Sequence, residues 1–235
     1  MKITPVHTRI FKEKEDLPAF IAEHIVSVPE KTVLTVSSKL VALWRGKTIP
    51  YTGRTQKEEL IRQESQAALQ TPLAWLTIKD GMIMTNAGID ESNADGKLIL
   101  LPPDGYACAQ DLRTALRQKW NVQHLGVIIT DSMILPLRAG IIGAAVAYSG
   151  FEGVKDLRGR EDIFGKKLEV TLVDAADALA AACALTMGEA AEQQPLCLAE
   201  GAPVTFVDGT NPSEIKYPPQ NDLYTPLLKA VKLIK

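Results

Sequence analysis

Cysteine, histidine and charge of one sign are all scarce in these 235 residues. The three cysteines, Cys108, Cys183 and Cys197, are odd in number, far apart and form no C-x-x-C pair. That excludes a disulfide framework or a zinc finger and points to a reducing cytosol. Each cysteine sits among apolar neighbours, where burial raises a thiol pKa and disfavours a catalytic role. His7, His24 and His124 make no H-E-x-x-H or other local ligand cluster. The formal net charge is only −2, with lysine and arginine scattered along the chain. No electrostatic footprint for nucleic acid or an anionic membrane results, so neither is expected as a partner.

Long apolar runs are missing too. The longest, AGIIGAAVAYSGF at 139–151, is too short and glycine-rich to span a bilayer, and ITPVHTRIFKEKED near the start lacks a signal core. Neither export nor anchoring is expected, and the expected location is the cytoplasm. The chain also lacks G-x-x-x-x-G-K-[ST], G-x-G-x-x-G and G-x-S-x-G. A P-loop, a Rossmann fingerprint and the commonest sign of a serine hydrolase are thereby excluded, so any nucleotide site is of another type.

What is present is an ordinary globular composition with no repeat, low-complexity tract or clear linker. KITPVHTRIF alternates like a strand, and Asp16 is an N-cap for a helix over DLPAFIAEHIV. TVLTVS (32–37) is a buried strand delivering a polar loop at Ser37, Ser38 and Lys39. A T-x-x-E capping box at Thr55 and Glu58 predicts a helix over 55–69. Asp80-Gly81 between apolar stretches predicts a hairpin that ends in TNAGID. KLILL is a strand, YACAQDLRTALRQKW a helix, and HLGVIIT (124–130) a buried strand ending at Asp131 and Ser132. AGIIGAAVAYSG, KKLEVTLVD and QQPLCLAEG are further strands, AADALAAACALTMGE a helix stopped by Gly188, and NDLYTPLLKAVKLIK a short amphipathic helix. Strands and helices without strict βαβ alternation give a fold class of α+β, or mixed α/β.

Two acidic strand ends, Asp90 in NAGIDESN and Asp131 in VIITDS, are candidates for one divalent metal site, with Ser132 adding a hydroxyl. The blander alternative makes NAG a loop of turn formers and Asp131 the cap of a following helix. SSKL offers hydroxyls and Lys39 at a strand C-terminal end, where ligands bind in open α/β sheets, or else a solvated loop lysine.

Taken in order, TVSSKLVAL, NAGIDESN, LLPPDG, GVIITDS, RAGIIGAAVAYSG, GREDIFGKKLEVT, ADALAAACALTMGE and EQQPL resemble the coenzyme F420 gamma-glutamyl ligase family over most of residues 2–200. The resemblance implies a two-lobed fold of its own with mixed sheets, acting as a homodimer. On that basis residues 1–200 form the catalytic domain, two interlocked lobes, and 201–235 a C-terminal extension packing on it. It implies transfer of L-glutamate, through its amine, to a substrate carboxylate, driven by GTP or ATP with Mg²⁺ or Mn²⁺. Asp90, Asp131 and Ser132 would hold the metal, and Asp90, Asp131 and Arg138 would serve catalysis. His7, Thr8, Arg9, Ser38, Lys39 and Asn93 would line the nucleotide site, closed over by Met187, Gly188, Glu189, Ala190, Ala191, Glu192, Gln193 and Gln194.

The sequence departs from the family at three places. MILPLRAG keeps Arg138 but loses a preceding arginine, Leu43 replaces a nucleotide-facing lysine, and Ala190-Ala191 replace a double glycine. These variants resemble a branch held to extend folates, so a folate-type acceptor is favoured over the deazaflavin coenzyme F420. The alternatives are a non-catalytic nucleotide- or cofactor-binding module of the same fold, and a metal-dependent phosphohydrolase.

Overall fold

The β-branched run TVLTVS is the spine of the computed structural model, which describes residues 1–234. The chain begins β1 (Lys2–Val6), α1 (Leu17–His24), β2 (Thr32–Ser37), α2 (Ser38–Trp44), β3 (Thr48–Pro50) and α3 (Arg54–Glu64). It continues through β4 (Ala67–Gln70), β5 (Trp75–Lys79), β6 (Met82–Thr85), β7 (Lys97–Ile99) and α4 (Gly105–Trp120). Then follow β8 (Leu125–Met133), β9 (Ile142–Ser149), β10 (Val154–Asp156), β11 (Leu172–Asp174), α5 (Ala175–Met187), β12 (Leu196–Glu200) and α6 (Thr225–Ala230).

The main sheet has five strands in the order β1-β12-β2-β8-β9. Only β2 and β8 run parallel and the other neighbours are antiparallel, which bears out the mixed class. Side chains alternate across the pleat and feed two cores. Leu34, Val36, Val127 and Ile129 face α1 and α4, joining Phe20, Ile21, Leu112 and Leu116. Val33, Ile128, Cys197 and Ala199 face α5, joining Leu179, Ala180 and Cys183. Because both faces are covered, the central strands read as continuous apolar runs.

Beside this sheet lie a β3–β7 ladder and the β4-β5-β6 meander, packed with α3 around Ile61, Ile89, Leu98 and Leu100. The hairpin turn is as the sequence required: Asp80 and Gly81 both have positive φ, 52° and 79°, the condition of a type I′ turn. Asp16 caps α1 as expected, accepting the Ala19 N–H at 2.9 Å.

Three expectations change. The capping box does not form, because α3 starts one residue earlier, at Arg54 after Gly53, which places Thr55 inside the helix. Gln56 instead caps the entry, accepting the Thr52 N–H at 2.8 Å. Helix 55–69 ends at Glu64, since Ala67–Gln70 pairs with β5. KKLEVTLVD yields only the strand Leu172–Asp174, whose partner β10 is equally short.

The tail past Gly201 is stapled to the rest. Arg113, buried in α4, donates to the Leu125 carbonyl at 2.8 Å and to the Asp208 carboxylate at 2.9 Å. Glu214 accepts the Gly153 N–H at 2.5 Å and the Tyr148 hydroxyl. No helix among the described residues is long and apolar enough to cross a membrane.

Candidate functional site

The parallel register of β2 and β8 aligns Ser37 with Thr130, so the next residues on each chain, Ser38 and Asp131, arrive side by side. The Ser38 hydroxyl donates to Asp131 Oδ1 at 3.1 Å. Ser38 and Lys39 open helix α2 and are not in a loop. Asp131 lies within β8 and caps no helix. A bulge between Ile129 and Thr130 breaks the ladder with β9 just before it, the kind of feature that re-aims side chains next to functional sites. Asp177 of α5 steadies the bulged partner strand by accepting the Ala145 N–H at 2.8 Å.

Asp90 reaches the same place from the meander. After β6 the chain turns through Asn86 and Ala87, both left-handed with φ 53° and 54°, a conformation costing about 1–3 kcal/mol per residue unless its surroundings enforce it. Here they do. Asn86 Oδ1 accepts the Trp75 N–H at 3.0 Å, and the Thr77 hydroxyl accepts the Ala87 N–H at 2.9 Å. The Asp90 backbone then bridges Ile99, leaving its carboxylate to meet Lys39 Nζ at 2.7 Å. Ser92 donates to it twice, from N–H at 2.8 Å and from Oγ at 2.9 Å. Glu91 pairs with Lys57 of α3 at 3.4 Å.

The third contributor is the segment after α5. Gly188, with φ 82°, stops the helix where a Cβ would strike Glu192. Beyond it, Glu189 accepts the Ser132 hydroxyl at 2.9 and 3.1 Å. The Asn93 amide donates to the Ala190 carbonyl at 3.2 Å, and Glu192 accepts the Ala190 N–H at 2.8 Å. The Thr8 N–H closes the far side, donating to the Gln193 carbonyl at 2.9 Å. Thr8, Ser38, Lys39, Asp90, Asn93, Asp131, Ser132, Glu189, Ala190, Glu192 and Gln193 are thus linked from five stretches of chain.

Other expected members stand apart from this network. The Arg9 guanidinium is held by Glu15 and Glu23 and lies over Phe20. Met187 is packed in the core. Arg138 sits exposed in the β8–β9 connection, its N–H closing a turn on Leu135. His7 and Ala191 are exposed and Gln194 half-buried. Two contributions were not read from the sequence: Ser92, although its D-x-S spacing is an Asx-turn signal, and Asp177, whose bond depends on a bulge that no local pattern announces.

Residues 5–201 match the family described as F420-0:Gamma-glutamyl ligase. The chain belongs to that family. It is 34% identical over 221 residues to the Coenzyme F420:L-glutamate ligase of Methanopyrus kandleri, covering 86% of this chain and 87% of that one. It is 33% identical over 199 residues to the enzyme of the same name from Methanococcus maripaludis strain C7, covering 83% and 80%. The Methanosarcina mazei enzyme, again so named, is 29% identical over 230 residues, covering 90% and 89%.

In this gamma-glutamyl ligase family member the site's charge is unbalanced. Burial pushes the Asp90 carboxyl up, but its bonds to Lys39 and Ser92 outweigh that and hold it below the ordinary range. For Asp131 burial dominates, the nearby Asp90 charge adds to it, and the carboxyl is raised from 3.8 to about 6. Among the described residues Lys39 is the one ammonium bonded in this cluster, against Asp90, Asp131, Glu189 and Glu192. Hard oxygen donors with excess negative charge and no thiolate or imidazole are the chemistry of Mg²⁺ or Mn²⁺. Among the described residues no three His, Cys, Asp or Glu side chains already stand at metal-holding distance, and Lys39 is paired with Asp90. The donor set therefore fits a divalent ion by its chemistry, with Lys39 standing in as the cation.

Proposed function

We propose that this protein is a nucleoside-triphosphate- and divalent-metal-dependent gamma-glutamyl ligase, adding L-glutamate to a carboxylate of a cofactor. The observation that carries the reading is the convergence of Asp90 and Asp131 from separate sheets onto one cluster with Ser38, Lys39 and Ser132. Family membership and relatives named as ligases support the amide-forming class.

Asp90, Asp131 and Ser132 would hold Mg²⁺ or Mn²⁺, which supplies neutralisation of phosphate charge when bound. Lys39 adds a fixed ammonium beside it, while Asn93 and segment 187–194 frame the nucleotide, GTP or ATP. The terminal phosphoryl group passes to an oxygen of the acceptor carboxylate as its bond to the nucleoside diphosphate breaks. The glutamate amine then attacks the acyl carbon, the bond to phosphate breaks, and the amine loses a proton as the amide forms. Arg138, exposed in the β8–β9 connection, is assigned to the incoming anionic substrates.

We favour a folate-type acceptor over coenzyme F420. The support is the replacement at Leu43, which packs against the core clusters of α2, together with MILPLRAG in the β8–β9 connection. That connection exposes Ile134, Leu135, Leu137 and Ile141, a surface we assign to a second copy of the chain in a homodimer. Three buried free thiols accord with a cytoplasmic location.

The deciding experiment offers the protein ATP or GTP, Mg²⁺ or Mn²⁺, glutamate, and reduced folate in competition with F420-0. Mass spectrometry should find folate heavier by one glutamyl unit. Extension of F420-0 alone refutes the acceptor choice. Phosphate release independent of glutamate marks a phosphohydrolase, and nucleotide binding without turnover a non-catalytic module.

A further inference from the structure

Ser92 lies between the two charged groups the proposed mechanism relies on, yet has no role in it. Its Oγ accepts from Lys39 Nζ at 2.8 Å and donates to Asp90 Oδ2 at 2.9 Å. Its N–H donates to Asp90 Oδ1 at 2.8 Å, and its carbonyl accepts from Lys39 Nζ at 3.4 Å. With Lys39 Nζ also 2.7 Å from Asp90 Oδ2, lysine, serine and aspartate form a closed triangle.

An ionised carboxylate offers about four lone-pair sites. On Asp90, Oδ2 takes both the Ser92 hydroxyl and Lys39, while Oδ1 takes the Ser92 N–H alone. One site is left, and it is on Oδ1. An ammonium has three protons, and those of Lys39 are met by Asp90 Oδ2, Ser92 Oγ and the Ser92 carbonyl. Ser92 therefore fixes the plane of one group and the direction of the other. The hydroxyl is suited to this because it accepts and donates at once, which neither an alanine nor a carboxylate can do.

We propose that Ser92 is a positioning residue, which orients the Asp90 carboxylate so that Oδ1 is presented to a divalent cation while Lys39 is kept on Oδ2. The proposal rests on the metal-dependent reading of the site. It assigns Ser92 no contact with substrate. Without the hydroxyl, Asp90 keeps the Ser92 N–H on Oδ1 but loses one of the two contacts that fix Oδ2, and Lys39 competes for both oxygens. Groups that orient metal-binding carboxylates typically affect metal affinity by about 10–100-fold.

The test uses the full chain free of nucleotide, with Mn²⁺ alone, and follows free Mn²⁺ by electron paramagnetic resonance. Ser92→Ala, and Ser92→Gly as a second truncation, should raise the Mn²⁺ dissociation constant by about 10-fold or more. Ser92→Thr, which keeps the hydroxyl, should return most of the affinity. In turnover the loss should appear in the Mn²⁺ concentration required, with kcat largely recovered at saturating metal. Thermal melting in chelator should be alike for all variants, because Ser92 is exposed, so a purely structural role would not move the Mn²⁺ readout. Equal affinity in wild type and Ser92→Ala overturns this proposal alone. A wild-type protein that binds no Mn²⁺, and is indifferent to Asp131→Ala, overturns the metal reading and this proposal with it.

Discussion

Asp131→Asn should stabilise the metal-free protein above neutral pH while abolishing glutamyl transfer. Asp131 titrates near 6 in the fold, against 3.8 for an ordinary aspartate, chiefly because it is buried and secondarily because Asp90 is close. At about 1.4 kcal/mol per pH unit this gap corresponds to roughly 3 kcal/mol. Asparagine forfeits the charge-assisted bond from Ser38, and partial exposure screens the rest, so about 1–2 kcal/mol is the expected gain. For a chain of this size that is about 2–8 °C in Tm.

The folded state binds the Asp131 proton more tightly than the unfolded state, so stability present below 3.8 is lost as pH rises towards about 6. Urea unfolding in chelator, at about pH 3 and about pH 7.5, reads both sides of that window. The variant should gain on wild type only at the higher pH. Mn²⁺ at about 100 times its dissociation constant should then restore about 2.7 kcal/mol to wild type and nothing to the variant. A variant no more stable than wild type at the higher pH, or active turnover in it, refutes the argument.

Two further outcomes follow from the same contacts. Lys39→Met removes the ammonium bonded to Asp90 at 2.7 Å. It should lower turnover by at least about 10-fold while Mn²⁺ still binds, checked by steady-state kinetics beside a Mn²⁺ titration. Gly188→Ala places a Cβ at φ 82° against Glu192. It should cost about 1–2 kcal/mol and weaken nucleotide binding, checked by urea unfolding and calorimetry.

Much of the fold follows from local pattern. TVLTVS had to be buried on both faces, Asp80-Gly81 had to turn with positive φ, and Asp16 had a free N–H to cap. The failures are places where a distant partner overrode a local preference. Ala67–Gln70 continues a helical pattern but finds β5, and the Thr55 box is defeated because the turn at Gly53 starts the helix early. The family resemblance itself is written in ordered blocks, and the match over residues 5–201 bears it out.

For the site, local sequence sets which chemical groups are available: two acidic segments, a lysine after a buried strand, and a helix ended by glycine. Their meeting was not determined there. Asp90 and Asp131 are brought together because a parallel β2–β8 register sets Ser38 beside Asp131, while a left-handed turn at Asn86 and Ala87 delivers Asp90 to Lys39. Arg9 has the residue type for a nucleotide site, but Glu15 and Glu23 hold it elsewhere. Local sequence sets dihedral preferences and donor types, whereas distances between remote groups are set by strand register and packing, and those exist only once the chain has folded.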